Sequence, residues 1–274
     1  MQKTAPSDLP AAGARVRKLL LDLHYGARSG HVGSALSCVE ILTFLRLGCM
    51  SASDTLVLSK GHAASALYST LAVAGEVQED ELRARYYKDG TLFSAHPPPN
   101  KISGIRFATG SLGHGPGIAV GLALGSKLRK QPDERVYCVV SDGELNEGSV
   151  WEAFAFSRHF KLDNLLFIVD RNNLQGFGRT SEVMDMSPLN EKLRAFGLAV
   201  TEADGHDFGS LAEAYESVSQ AARNGSTAGI IVAATVKGRG MPGLADTVAC
   251  HYVPMTEEVY GGALKLCGDA GDQG

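Results

Sequence analysis

The residues best suited to chemistry are a carboxylate and an amide that each follow an apolar run. Residues 136–141 form a run of strand type that leads into Asp142, and residues 149–160 then have the composition of a helix. A second apolar run, residues 165–169, leads into a polar turn that contains Asn172. A β-α-β unit has a right-handed crossover and parallel strands, so both side chains are expected at one carboxyl edge of a sheet.

Asp142, Asn172 and a nearby main-chain carbonyl are the kind of oxygen ligands that Mg²⁺ takes beside phosphate oxygens and water. Asp-Gly and Asn-Asn are also common turns, so either half alone is typical of ordinary turn chemistry. The two halves together, on either side of one crossover helix, predict a site for a metal-bound diphosphate.

These two segments resemble the thiamine diphosphate motif and, more narrowly, the amino-terminal half of a transketolase. The resemblance is carried by Ser141-Asp-Gly-Glu-Leu-Asn-Glu-Gly-Ser-Val-Trp151-Glu-Ala and Val169-Asp-Arg-Asn-Asn-Leu-Gln-Gly176. It implies that Asp142, Asn172 and the main-chain oxygen of Leu174 hold Mg²⁺. It also implies that the Gly143 amide meets the diphosphate and that Glu144 belongs to the cofactor site.

Four histidines are predicted to lie in loops beside glycine, proline or a strand end: His31, His62, His96 and His251. One loop histidine is more often solvated than catalytic. Their segments, however, are similar to transketolase segments, namely Ser29-Gly-His-Val-Gly, Leu58-Ser-Lys-Gly-His-Ala, Ser94-Ala-His-Pro and the histidine that follows Lys237-Gly-Arg-Gly240.

Imidazoles suit ketol transfer because they donate and accept protons near neutral pH. By resemblance, His31 and His96 contact substrate hydroxyls, and His62 contacts the diphosphate and the donor. His251 contacts the cofactor and a proton-transfer position. No catalytic role is assigned to the remaining histidines: His24, His114, His159 and His206.

A glycine-rich loop, residues 109–115, precedes a helix that is rich in alanine and glycine. Glycines allow close backbone approach and helix starts favour anions, although a plain helix-start loop has the same pattern. By resemblance Gly110, Ser111 and Leu112 line the cofactor. Glu147 is either a helix-start carboxylate or, by resemblance, an acid at the subunit boundary. Ser141 stands where the motif usually has glycine.

The alternation of strands and helices predicts an α/β fold with a mostly parallel central sheet and helices on both faces. We expect one domain over residues 1–260 and a flexible tail over residues 261–274. Net charge of −4 weakly disfavours an extended nucleic-acid surface, and no apolar run approaches membrane-spanning length. Five cysteines without CxxC spacing, and no evident signal peptide, favour a reduced cytoplasmic setting.

The resemblance covers the diphosphate-binding half of a transketolase only. It therefore implies a subunit that is inactive alone and needs a separately encoded partner with the pyrimidine-binding and carboxy-terminal domains, in an α₂β₂ assembly. The expected reaction moves a two-carbon ketol unit from a ketose, commonly phosphorylated, to an aldose. Two alternatives remain: a subunit of a 2-oxo acid decarboxylating or acyloin-forming thiamine diphosphate enzyme, and a non-catalytic protein that retains the fold.

Overall fold

A parallel sheet of five strands forms the centre of the protein. The computed structural model describes residues 3–99, 101–131 and 133–271, and side chains as far as residue 267. The strand order is β1-β2-β3-β5-β4. The strands are β1 (Thr55–Leu58), β2 (Val136–Ser141), β3 (Leu165–Arg171), β4 (Ala199–Asp204) and β5 (Gly229–Ala234).

Helices cover both faces of this sheet. On one face lie α1 (Leu9–Ala27), α2 (Val32–Leu36), α3 (Val39–Thr43), α4 (Ala64–Val73), α5 (Glu79–Arg85), α10 (Phe208–Gly225), α11 (Ala249–Tyr252) and α12 (Glu257–Gly271). The other face carries α6 (His114–Leu128), α7 (Gly148–His159) and α9 (Leu189–Ala195), and a short helix, α8 (Thr180–Met184), follows β3.

The strands read as continuous apolar runs because both faces are buried. Along β2, Tyr137 and Val139 join the core beneath α1 and α10, whereas Val136, Cys138 and Val140 join the core beneath α6 and α7. The α/β fold with a parallel sheet is therefore confirmed.

The central β-α-β unit folds as its pattern predicts. β2 and β3 pair in parallel, with Ser141 opposite Asp170, and α7 is the crossover between them. β3 continues beyond the expected end at residue 169 as far as Arg171, so Asp170 is a fully buried strand residue and not part of the turn. The parallel register brings Asp142 and Asn172 to the same edge of the sheet.

The carboxyl end of the chain differs from the expected flexible tail. Residues 261–271 continue helix α12, which packs along α1, and residues 272–274 lie outside the described part of the chain. Ala263 is fully buried, and Tyr260 stacks on Tyr25 with ring centroids 4.1 Å apart. Glycine and aspartate suggested mobility here, but the spaced apolar residues give this helix a face that α1 covers.

Candidate active site at the carboxyl edge of the sheet

Asp142 is held at the end of β2 by main-chain donors. Its Oδ1 accepts from the Gly143 amide at 2.8 Å, and its Oδ2 accepts from the Asn173 amide at 2.5 Å and from the Thr180 hydroxyl at 3.2 Å. Asn172 Oδ1 accepts from the Leu174 amide at 3.2 Å. Both predicted metal ligands are therefore fixed in orientation by the turns that follow their strands.

The third predicted ligand, the main-chain oxygen of Leu174, already has a cationic partner. Lys237 Nζ donates to this oxygen at 2.8 Å, and Lys237 is buried. Burial and the neighbouring Lys60 lower the pKa of Lys237 to about 8. Burial and the neighbouring Asp170 raise the pKa of Asp142 to about 6. A carboxylate that is buried beside another carboxylate favours a cation at this place.

An ion pair between Lys60 and Asp170 lies directly beneath these ligands. Both side chains are fully buried, and the Lys60 ammonium donates to the carboxylate and to the Ser34 carbonyl, the latter at 2.8 Å. Ser37 donates to the same carboxylate at 2.6 Å, and Thr235 also donates to it. Burial raises the pKa of Asp170, but Lys60 outweighs it and the net shift is downward. The pair is therefore charged on both sides.

The structure brings three of the predicted histidines into contact. The ring of His31 lies 4.6 Å from that of His251 and 6.0 Å from that of His62, measured between centroids. His96 lies against the loop at Gly110 across the same cleft. The histidine cluster is thus assembled from four distant parts of the chain. His251 lies in α11 and not in a loop as expected.

The imidazoles of His31, His62 and His251 are neutral at physiological pH, because the pKa of each is lowered. Burial is the first cause that lowers the pKa of His31, His62 and His251, and the nearby cations add to it. For His251 the pKa falls to about 3 because burial is reinforced by the nearby Lys237. A neutral imidazole donates from one nitrogen and accepts at the other, which suits contacts with sugar hydroxyls.

Close backbone contact at Gly33 permits this arrangement. A Cβ at Gly33 would lie 2.4 Å from the Sγ atom of Cys250, so α2 and α11 could not approach each other with any other residue there. The His31 amide donates to the His251 carbonyl at 2.8 Å, and His31 has a φ of 63°. Residues other than glycine rarely adopt the left-handed region. Those that do are concentrated at functional sites.

Glu144 organises the glycine-rich loop and does not face the cleft. Its carboxylate is fully buried, accepts from the Gly113 amide at 2.7 Å and accepts from the Ser59 hydroxyl. Gly110 and Leu112 line the cleft, whereas the side chain of Ser111 is exposed outside it. The side chains of Glu144 and Ser111 therefore do not line the cleft, and the expected contacts of these residues with the cofactor stay predictions.

Ser141 is accommodated in place of the usual glycine. Its φ is not positive, and its hydroxyl accepts a hydrogen bond from the Glu144 amide at 3.3 Å. The added Cβ therefore lies on ordinary strand backbone. Glu147 is exposed and occupies the N-cap position of α7 without a side-chain capping hydrogen bond, and its place at a subunit boundary stays a prediction.

Most of the predicted residues meet in one cleft of about 320 Å³. Its lining includes the four histidines, Asp142, Gly143, Asn172 and Leu174, together with Lys60 and Lys237, which the sequence reasoning missed. The residue types fit a magnesium diphosphate, because oxygen atoms are suitable ligands for Mg²⁺ and ammonium groups are suitable partners for phosphates. No cluster of three or more His, Cys, Asp or Glu side chains suited to a metal occurs within residues 3–99, 101–131 and 133–271. The proposed ligands agree with that finding, because only Asp142 among them is such a side chain, whereas Asn172 contributes an amide oxygen and Leu174 a main-chain oxygen.

The fold and the cleft place this chain among α/β proteins that bind a ligand at the carboxyl edge of a parallel sheet. Comparison with known proteins makes the class specific. Residues 11–265 match the family described as transketolase, thiamine diphosphate binding domain.

Two relatives are similar over nearly their whole length. One is a subunit of the apulose-4-phosphate transketolase of Phocaeicola vulgatus, to which the chain is 34% identical over 91% of this chain and 90% of that protein. The other is the 6-deoxy-6-sulfo-D-fructose transketolase subunit SqwG of a Clostridium species, with 36% identity over 94% of this chain and 95% of that protein. Among solved structures, the transketolase of Campylobacter jejuni superposes with a TM-score of 0.87 at 29% identity, covering 96% of this chain but only 43% of that one.

The chain therefore belongs to the family of transketolase thiamine diphosphate-binding domains. It is similar in extent to the subunits of split transketolases and spans less than half of the Campylobacter protein. No helix within the described residues is long and apolar enough to cross a membrane.

Proposed function

We propose that this chain is the cofactor-binding subunit of a two-component transketolase. The observation that carries the proposal is the convergence of Asp142, Asn172 and the Leu174 carbonyl with the histidine cluster in one cleft. In the proposed reaction a two-carbon ketol unit moves from a ketose or ketose phosphate to an aldose.

The chain's own residues suit this chemistry. Asp142, Asn172 and the Leu174 oxygen would hold Mg²⁺, and the Gly143 amide and Lys60 would face the diphosphate. When bound, thiamine diphosphate supplies the electron sink that stabilises a two-carbon carbanion. The protein must position the substrate and exchange protons with its oxygens.

The proposed substrate contacts come from the histidines. His31 and His96 would bind substrate hydroxyls, His62 would lie near the donor and the diphosphate, and His251 would serve the proton-transfer position. The His31 Nδ1 atom is buried and has no hydrogen-bond partner in the described structure. An unpaired buried nitrogen costs free energy, so a ligand hydroxyl at this place would relieve that cost.

A separately encoded partner would complete the site. Two relatives that match almost end to end are named as subunits, and the mouth of the cleft exposes two aromatic side chains. Phe177 is 85% exposed and Tyr252 is 53% exposed. We propose that a chain with the pyrimidine-binding domain covers this mouth in an α₂β₂ assembly. Five free, buried cysteines support the proposal of a cytoplasmic location.

The test combines the purified chain with the product of a companion gene and screens donors by mass spectrometry. Transfer of a two-carbon unit from a ketose phosphate, only with both chains and with Mg²⁺ and thiamine diphosphate, is the expected result. Release of CO₂ from pyruvate would favour a 2-oxo acid enzyme. Transfer by the single chain would refute the need for a partner, and an assembled complex that binds no thiamine diphosphate would favour a non-catalytic role.

A further inference from the structure

A buried ionic cluster of Arg17, Glu40 and His206 lies outside the cleft and has no role in the reaction proposed above. These residues come from α1, from α3 and from the turn after β4. Glu40 accepts from Arg17 through one oxygen, and its other oxygen lies 2.8 Å from His206 Nδ1. All three side chains are largely buried, with exposed fractions of 10%, 12% and 5%. Burial raises the pKa of Glu40, but Arg17 and His206 outweigh it and the net shift is downward.

The cluster binds the main chain of one segment, the strap, which we define as residues 235–240 after β5. The Val236 amide donates to His206 Nε2 at 2.8 Å. Arg17 Nη1 donates to the Arg239 carbonyl at 2.9 Å. Because Nε2 of His206 accepts a hydrogen bond, the neutral ring must carry its proton on Nδ1 and donate it to Glu40. The partners of His206 thus assign its tautomer, while His206 and Arg17 bind the two ends of the strap.

The opposite side of the strap forms part of the cofactor cleft. Lys237 Nζ donates to the Leu174 carbonyl at 2.8 Å, and the Gly238 amide donates to the Gly33 carbonyl at 2.9 Å. Thr235 donates to the buried carboxylate of Asp170. The strap therefore joins the proposed metal ligand, the ion pair beneath it and the helix that follows His31. A shift of the strap would move groups in all three.

We propose that Arg17, Glu40 and His206 are positioning residues that fix the strap and thereby set the affinity of the cleft for a magnesium diphosphate. A buried ion pair is by itself weak support for stability, because apolar residues of the same size often stabilise a fold equally well. Apolar side chains could not, however, bind the amide of Val236 and the carbonyl of Arg239. Groups that orient the ligands of a metal site typically change metal affinity by about 10-fold to 100-fold when they are removed.

The strap itself is tested by hydrogen exchange on the full chain without ligand. His206→Leu removes the acceptor of the Val236 amide, so hydrogen exchange in residues 235–240 should become about tenfold faster, as expected for the loss of one hydrogen bond. His206→Gln retains a donor and an acceptor and should restore slow exchange. Glu40→Gln is a milder second variant for the case that His206→Leu does not fold. Unchanged exchange in the strap for every folded variant that breaks the cluster would overturn the proposal.

The second readout is the dissociation constant for thiamine diphosphate with Mg²⁺, and it rests on the proposed function. His206→Leu should weaken binding by about tenfold or more, and His206→Gln should bind within about threefold of the wild type. Val218→Ala is the matched control, because Val218 is fully buried on α10 away from the strap and its loss lowers stability only. Equal weakening by the control would contradict a positioning role. A wild-type chain that binds no cofactor, even with its companion, would count against the proposed function, and hydrogen exchange would then decide the positioning proposal alone.

Discussion

Gly115 and Gly117, both on α6, test how closely this helix packs against Ser59 at the end of β1. A Cβ at Gly115 would lie 2.2 Å from Ser59 Oγ and 2.8 Å from Ser59 Cα. A Cβ at Gly117 would meet nothing within 4 Å. Ser59 is fully buried, and its Cα belongs to the backbone, so the overlap cannot be relieved by a side-chain rotation. Gly115→Ala must therefore displace α6 or the end of β1.

The magnitude follows from comparing the two alanine variants. Both substitutions gain about 0.5–1 kcal/mol from helix propensity, so this gain cancels in their difference. Overpacking a well-packed site costs about 1–3 kcal/mol, and we expect Gly115→Ala to be less stable than Gly117→Ala by that amount. Gly117→Ala should be slightly more stable than the wild type.

The assay is urea unfolding followed by circular dichroism, with binding of thiamine diphosphate as a second readout. The Gly115 amide donates to Ser59 Oγ at 3.1 Å, and Ser59 in turn donates to Glu144, which holds the Gly113 amide. We therefore expect Gly115→Ala to weaken cofactor binding and Gly117→Ala to leave it unchanged. If Gly115→Ala is as stable as Gly117→Ala and binds as well, the close contact between α6 and β1 is wrong.

Three further predictions concern charge. Lys60→Met should lower the free energy of unfolding in urea by about 3–5 kcal/mol, because it leaves Asp170 buried and unpaired. The double variant with Asp170→Leu should recover part of this loss. A loss below about 1 kcal/mol in Lys60→Met would contradict a charged pair. Burial lowers the pKa of His24 to about 4. The unfolded chain, with a histidine pKa near 6.5, then binds more protons between these values, so His24 costs about 2 kcal/mol on going from pH 7 to pH 5. His24→Asn should remove that part of the pH dependence of the free energy of unfolding. If the variant and the wild type lose the same stability between pH 7 and pH 5, the lowered pKa of His24 is wrong. Finally, Mg²⁺ and thiamine diphosphate at about 100 times their dissociation constant should stabilise the wild type by about 2.7 kcal/mol in thermal unfolding. Chelation of the metal by EDTA should abolish this stabilisation, and so should Asp142→Ala. The control Asp163→Ala, at the opposite edge of the sheet, should retain it. Stabilisation that persists in Asp142→Ala would exclude the proposed metal site.

The local pattern of the sequence was enough for the central unit of the fold. Apolar runs buried on both faces predict parallel strands, and the right-handed crossover then leaves one choice for where Asp142 and Asn172 emerge. The resemblance supplied the four histidines and the expectation of a partner subunit. The structure brings these side chains into one cleft, although their roles in binding and catalysis stay predictions.

Other features could not be seen along the chain because they depend on contacts between distant residues. Lys60 and Asp170 are separated by 110 positions, and nothing in either segment shows that the two charges are buried together. Lys237 reaches the Leu174 carbonyl only because the strap after β5 returns to the edge of β3. Glu144 was expected near the cofactor; its carboxylate is bound by Ser59 and the Gly113 amide, which no local pattern indicated.

The sequence by itself determined which strands form the sheet, which edge carries the polar turns and which family of cofactor sites the residues resemble. Periodicity and turn chemistry are local properties, and they are written in neighbouring residues. Only the tertiary structure decided the burial of the ion pair, the lowered pKa values of His31, His62 and His251, the helical conformation of residues 261–271 and the anchoring of the strap by Arg17, Glu40 and His206. Each of these depends on desolvation and on partners supplied by distant segments, which a linear pattern does not specify.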